Sequence, residues 1–299
     1  MKVLLIKTGA TGDVVRTTTL LHVYMYDEVY WITKKINIEV LPHELDCLKN
    51  IVAIEDKPKL DELMQIKFDL VLSLDDDIES VVLASKIKTN QFIGAYMEND
   101  TRMKYTEDSA LWFDLSLISR YSKKEADRMK YEGKKSVQEY LFEMVGNKFC
   151  GQEYFVREHT DAEKIPNLIG IEDRAGERWP TKRWDKYSLL AEELKKQGYK
   201  IKFFTHRDDI RDYIRDIAQC SYIFTGDSLC MHFALAKKVP LVTIFTCTSA
   251  AEIYSYNRMQ KVVSPYLKQA FFRTDYVAQA VESISVEDVI DKFIKLKQN

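Results

Sequence analysis

Residues 225–249, TGDSLCMHFALAKKVPLVTIFTCTS, decide how this chain is read. Tyr222, Ile223 and Phe224 complete an apolar strand just before them. Gly226-Asp227-Ser228 reads as a turn and a helix start, because Asp and Ser oxygens accept from the orphan N–H groups of a first turn. Met231, Phe233, Ala234 and Leu235 fill the helix, and Lys237 and Lys238 suit its negative end. Val239-Pro240 stops it, and LVTIF is a short buried strand. The stretch is one strand–helix–strand step of a parallel sheet, and its helix N-terminus is an anion site. A phosphate there would sit beside Asp227 and His232. On local pattern alone, a helix cap plus a core histidine is the commoner meaning of these two residues.

The 299 residues are enough for two domains of ordinary size. A chain 46% hydrophobic and 30% charged is globular, and a formal net charge of -2 argues against a dedicated nucleic-acid binder. Cys47, Cys150, Cys220, Cys230 and Cys247 form no CxxC pair, which fits reduced thiols in the cytoplasm. No apolar run reaches the length of a membrane span.

In the first half, Val3 to Ile6 is a short buried strand running into Thr8-Gly9-Ala10-Thr11-Gly12-Asp13 and then a helical pattern over Val14 to Tyr24. A strand entering such a loop is a common place for phosphates or sugars, which makes Thr8, Gly9 and Gly12 phosphate-loop candidates. The loop is neither a Walker A motif nor GxGxxG. Asp13 either caps the helix or presents a carboxylate that can take a proton. Strands follow at Val29–Thr33, Ile51–Ile54, Phe68–Leu74 and Gln91–Gly94, with a short helix expected to start in Pro42–Cys47. Asp75-Asp76-Asp77 matches the triplet with which some transferases hold a metal on a diphosphate, but a helix start before Ile78–Ser85 accounts for it better. Residues 96–135 read as polar and irregular. Their basic cluster, Arg120 to Lys135, is interleaved with acids like a solvated helical face; the alternative is a basic surface for an anionic acceptor or lipid headgroup. Ser136 to Val145 is a helix that Gly146 can end.

In the second half, Leu168–Ile171 is a strand, followed by the cation-dense loop EDRAGERWPTKR with Arg178 and Lys182, and an amphipathic helix over Trp184–Gln197. His206-Arg207-Asp208-Asp209 reads as a turn and cap. The alternation predicts two doubly wound parallel sheets facing a cleft.

Several stretches together resemble the ADP-heptose:lipopolysaccharide heptosyltransferases, glycosyltransferase family 9. KVLLIKTGATGDVVRTTTLL is similar to that family's opening strand, Gly-Asp loop and helix. FDLVLSL and FIGAY are similar to two of its strands. RWPTKRWDKYSLLAEELKKQG is similar to its Lys-x-Trp-Pro segment, and residues 225–249 to its Asp-Ser-Gly-Pro-x-His segment. The resemblance runs in order from residue 1 to about 256. It implies a GT-B fold with Rossmann-like domains: an acceptor-binding domain over 1–155 and a donor-binding domain over 156–299, whose terminal helix is able to pack back on the first. It also implies inverting, metal-independent transfer of a heptose or related sugar from a nucleotide-diphosphate donor, ADP-linked, without a cofactor. By position Asp13 would be the general base and Lys182 a donor-phosphate contact. Asp227 with Ser228, His232 and Thr248 would form the donor site, with Arg178 a further phosphate candidate. The acceptor would be an anionic glycan, a glycolipid or a protein, reached in the cytoplasm or in peripheral contact with the inner membrane surface.

Three positions depart from the family pattern. Leu229 and Cys230 stand in place of Gly-Pro, the same pair is missing between Phe245 and Thr248, and Asp185 replaces a proline. Leu229 brings bulk to a place where backbone should approach phosphate. These departures motivate a rival reading, a non-catalytic nucleotide-sugar-binding or assembly subunit on the same fold.

Overall fold

The computed structural model describes residues 1–99, 101–157 and 162–298. The chain divides into two compact units, residues 1–158 and 159–299.

The first unit holds strands β1 (Lys2–Ile6), β2 (Glu28–Thr33), β3 (Leu48–Ala53), β4 (Phe68–Ser73), β5 (Thr89–Glu98) and β6 (Arg102–Tyr105) in the order β3-β2-β1-β4-β5-β6. Its helices are α1 (Thr11–Thr17), α2 (Lys57–Leu63), α3 (Ile78–Ala84), α4 (Ala110–Phe113), α5 (Lys123–Glu132) and α6 (Val137–Met144). The period of two along each strand sends alternate side chains to opposite faces. Val3, Leu5, Trp31 and Leu72 pack with Val14 of α1 and Leu141 and Phe142 of α6. Leu4, Ile6, Ile32 and Val71 pack with Leu60 and Leu63 of α2 and Ala84 of α3. Burial on both faces is why these strands read as continuous apolar runs.

Three local expectations change. The α-helix after the first loop ends at Thr17 and tightens into a 3-10 turn over Thr18–His22. Thr17, Thr18 and Thr19 donate hydroxyl protons to the carbonyls of Asp13, Val15 and Arg16, a back-bonding run of stiff β-branched residues that competes with helix continuation. Residues 42–47 form turns rather than a helix. The supposedly irregular segment after 96 contains an antiparallel ribbon, β5 with β6, and the helix α5. The bend that makes the ribbon falls at Gly94. Up to it, β5 pairs with β4 in parallel; beyond it, β5 pairs with β6. Gly94 has φ +122, and a Cβ there would meet the Ser73 carbonyl oxygen at 1.9 Å, so only glycine fits.

The second unit has β7 (Leu168–Glu172), β8 (Lys200–Phe203), β9 (Tyr222–Gly226), β10 (Leu241–Phe245) and β11 (Met259–Val263), all parallel in the order β11-β10-β9-β7-β8. Helices are α7 (Tyr187–Lys196), α8 (Ile210–Ala218), α9 (Leu229–Ala236), α10 (Leu267–Ala270), α11 (Ala278–Glu282) and α12 (Val286–Gln298). One sheet face is covered by Leu190, Ala191 and Leu194 of α7 and Val289, Phe293 and Leu296 of α12. The terminal helix therefore packs into the core of its own unit. On the other face, the rings of Tyr213 of α8 and Phe233 of α9 lie 6.1 Å apart, edge to face. The segment leading out of the first unit is anchored to that unit: Phe155 N–H donates to the Thr18 hydroxyl at 2.9 Å and Arg157 N–H to the Val40 carbonyl at 2.9 Å.

Candidate functional site

In the second unit, residues from three places meet where the strands end. Asp227 follows β9, Thr246 to Thr248 follow β10, and Lys182 closes a 3-10 turn over Pro180–Lys182. That turn is pinned. The Thr246 hydroxyl donates to the Thr181 carbonyl, and the Thr181 hydroxyl donates to the Asp275 carbonyl at 3.2 Å while accepting from Val277 N–H at 3.0 Å. Its backbone comes so close to β9 that a Cβ on Gly226 would lie 3.1 Å from the Lys182 carbonyl oxygen. Lys182 Nζ lies 3.0 Å from the Asp227 carboxylate and donates to the Asp227 carbonyl at 3.1 Å. Burial alone would raise the Asp227 carboxyl. The charges of Lys182 and His232, with the short contact from Lys182, reverse this and hold it at about 2.

Asp227 does not cap α9: its carboxylate is turned to Lys182. Ser228 occupies the N-cap position without capping, its hydroxyl lying 2.8 Å from that of Thr225. The first N–H groups of α9 are thus left without a side-chain cap, as an anion-binding helix start requires. His232 is buried within α9. Leu229 is half-buried at the first helical position and Cys230 fully buried at the second. Arg178 is exposed, its guanidinium 5.1 Å above the Trp179 ring.

In the first unit, the loop after β1 is organised by an ion pair absent from the sequence reading. Lys7 is bonded to Asp75, 68 residues away and equally buried. The Asp75 carboxylate also accepts from the Thr8 N–H, from its hydroxyl at 3.0 Å, and from Gly9 N–H at 3.3 Å. Asn37 donates to the Thr8 and Gly9 carbonyls at 3.3 and 3.4 Å and accepts from Thr11 at 2.7 Å. Burial would lower the Lys7 ammonium, but Asp75 and Asp13 overcome it and raise it. The expectation that Asp75 and Asp77 together form a helix cap is corrected: Asp77 does cap α3, accepting from Ser80 N–H at 3.1 Å, whereas Asp75 latches the loop. Neither carboxylate is left open as half of a metal pair, and among the described residues no cluster of three or more His, Cys, Asp or Glu is placed to hold a metal ion.

Asp13 sits in the first turn of α1, part-exposed, 2.8 Å from the Arg16 guanidinium. Gly12 belongs to that turn too, not to the loop. Thr8 is 1% exposed, with its hydroxyl directed at Asp75 and Ser80, whereas Gly9 and Gly12 are partly exposed. The basic cluster of residues 120–135 is largely matched by acids. Lys123 pairs with Asp127, Arg128 with Glu125 and Glu132, Arg120 with Glu107 and Asp114, and Lys135 with Glu143.

Sequence reasoning missed Lys7 and Arg16, and the role of Asp75 as the partner of Lys7. It also missed Glu172, Arg174 and Tyr213, which meet at the end of β7. The only signal was a buried-length strand ending in an acid beside a cation.

Each unit is a doubly wound α/β layer structure, the first with an antiparallel edge strand, and this two-unit architecture is the GT-B glycosyltransferase fold. Among solved structures, that of a family 9 glycosyl transferase from Veillonella parvula is similar over 99% of this chain and 96% of its own, with TM-score 0.66 and 17% identity. Escherichia coli heptosyltransferase WaaC, solved with ADP-2-deoxy-2-fluoro heptose, is similar over 99% and 100%, with TM-score 0.63 and 14% identity. Escherichia coli ADP-heptose lps heptosyltransferase II is similar over 99% and 98%, with TM-score 0.62 and 16% identity. No protein-family model and no curated protein sequence matches the chain. The likeness is one of fold, to the structures of the family that the sequence motifs resemble.

Proposed function

We propose that this chain is an inverting, metal-independent glycosyltransferase that moves a heptose or related sugar from an ADP-linked donor to an anionic saccharide, glycolipid or protein acceptor. The observation that carries the reading is the Lys182–Asp227 pair beside the uncapped start of α9. A fixed cation and a helix N-terminus suit a leaving diphosphate and stabilise it as charge develops. Asp227, ionised and flanked by His232 and Thr248, is suited to accept from sugar hydroxyls. In the reaction Asp13 takes the acceptor hydroxyl proton, the acceptor oxygen bonds to the anomeric carbon, and the bond from that carbon to the diphosphate breaks, releasing the nucleoside diphosphate. The commitment of Asp75 to Lys7 and of Asp77 to α3 supports a route without a DxD-bound metal. The first unit would serve the acceptor and the second the donor. Work in the cytoplasm, at or near the inner membrane surface, follows from such an acceptor; among the described residues no helix is long and apolar enough to cross a membrane.

Asp13→Asn tests the reading. It should abolish turnover while nucleotide affinity stays within about twofold of wild type; full turnover by the variant would remove Asp13 as base. The second reading, a nucleotide-sugar binder without turnover, is favoured by one observation, the Leu229 and Cys230 side chains at the start of α9. It predicts nucleotide binding with no transfer to any saccharide acceptor.

A further inference from the structure

We propose that Arg174 is a second diphosphate-binding cation on the donor side, held in place by Glu172 and Tyr213; the inference rests on the donor reading of the Lys182–Asp227 site. Glu172 ends β7 and is 4% exposed. A carboxylate this deep must be paired. Arg174 grips it side-on, Nε to Oε1 and Nη2 to Oε2, both at 2.7 Å, and the Arg174 backbone N–H adds a bond to Oε1 at 3.1 Å. Tyr213 of α8 donates its hydroxyl proton to Oε2 at 2.5 Å.

This cluster borders the candidate donor site. Glu172 is in register with Thr225, two positions before Asp227, on adjacent strands. The Tyr213 ring also packs edge to face on Phe233 of α9, 6.1 Å away. The loop carrying Arg174 also carries Lys182, and Arg183 Nε ties it by donating to the Asp173 carbonyl at 3.2 Å. Both cations are therefore fixed relative to the uncapped helix start.

The chemistry favours a phosphate ligand. Two N–H groups of the Arg174 fork go to Glu172, and the rest of the fork is unspent in that pair, on a side chain that is 44% exposed. An arginine immobilised by a buried carboxylate loses little freedom when it binds, and its planar fork matches two phosphate oxygens. Glu172 and Tyr213 are positioning residues: they touch Arg174 or its partner, not the ligand.

The experiment is calorimetric titration of the full chain with ADP, and with adenosine by competition, for wild type, Arg174→Met, Glu172→Gln and Tyr213→Phe. Arg174→Met should weaken ADP about tenfold or more and leave adenosine within about twofold, because only the diphosphate loses a contact. Glu172→Gln should weaken ADP less, again sparing adenosine, which shows that the fold is intact. If that variant does not fold, Tyr213→Phe, which loses one hydroxyl, takes its place with the same expectation. Unchanged ADP affinity in Arg174→Met, alongside weakened affinity in Lys182→Met, overturns this inference alone. A wild-type chain that binds none of ADP, UDP, GDP and CDP overturns the donor reading and this inference with it.

Discussion

Replacing Lys182 with methionine removes the cation that keeps Asp227 ionised in a part-buried site. The two side chains are only 20% and 18% exposed, so solvent screens their attraction weakly. A carboxyl held at about 2 instead of 3.8 corresponds to about 2 kcal/mol of folded-state stabilisation, at about 1.4 kcal/mol per tenfold change in proton affinity. Because the folded value lies below the unfolded one, that contribution is complete above about pH 4 and is lost as the pH falls through 2. In Lys182→Met the carboxyl keeps its burial penalty and loses its main partner. The variant should therefore lose about 2 kcal/mol at pH 7, a drop of roughly 7 °C in the Tm of the second unit. The gap to wild type should narrow at pH 4.5, where the stranded carboxyl takes up a proton. Differential scanning calorimetry reads both values. The double variant Lys182→Met, Asp227→Asn removes both charges and should recover all but about 1 kcal/mol, while nucleotide affinity stays low. A single variant as stable as wild type at pH 7, or a double variant no better than the single, would refute the argument that the pair is a compensated charge in a poorly hydrated site.

Three further outcomes follow from the same geometry. Asp75→Asn strands the buried Lys7 ammonium and loosens the Thr8–Gly9 backbone, so urea unfolding of the first unit should show a loss of about 3–5 kcal/mol. The Lys7 ammonium is raised in the fold, so the stability it contributes is present below its ordinary value of 10.5 and lost as pH climbs past the raised value; wild type and Lys7→Met should converge in stability in strong alkali. Gly170→Ala puts a Cβ 2.4 Å from Phe204 and 2.7 Å from Ile223 in the middle of the second sheet, and thermal unfolding should register a cost of about 1–3 kcal/mol or more.

The strand–helix alternation was legible because burial on both sheet faces leaves continuous apolar runs, as in Val3–Ile6 and Leu241–Phe245. Lys182 and Asp227 were reached through motif resemblance, and their pairing emerged only from the fold, since 45 residues separate them. Nothing local marks Asp75 as the partner of Lys7, or Glu172 as the anchor of Arg174 and Tyr213. Such bonds are set by which strand ends lie side by side. The shortened α1 was readable in principle from Thr17-Thr18-Thr19, whose hydroxyls compete for helix carbonyls. The ribbon after Gly94 was masked by the polar composition of an edge strand.

The most direct measurement is thermal stabilisation of the wild-type chain by ADP, UDP, GDP and CDP, each with and without EDTA, repeated on Lys182→Met. A ligand at a hundredfold excess over Kd adds about 2.7 kcal/mol, which is readable as a Tm shift. The account predicts a selective shift with ADP that survives EDTA and is lost in Lys182→Met. No shift with any of the four, or a shift that EDTA abolishes, would contradict it.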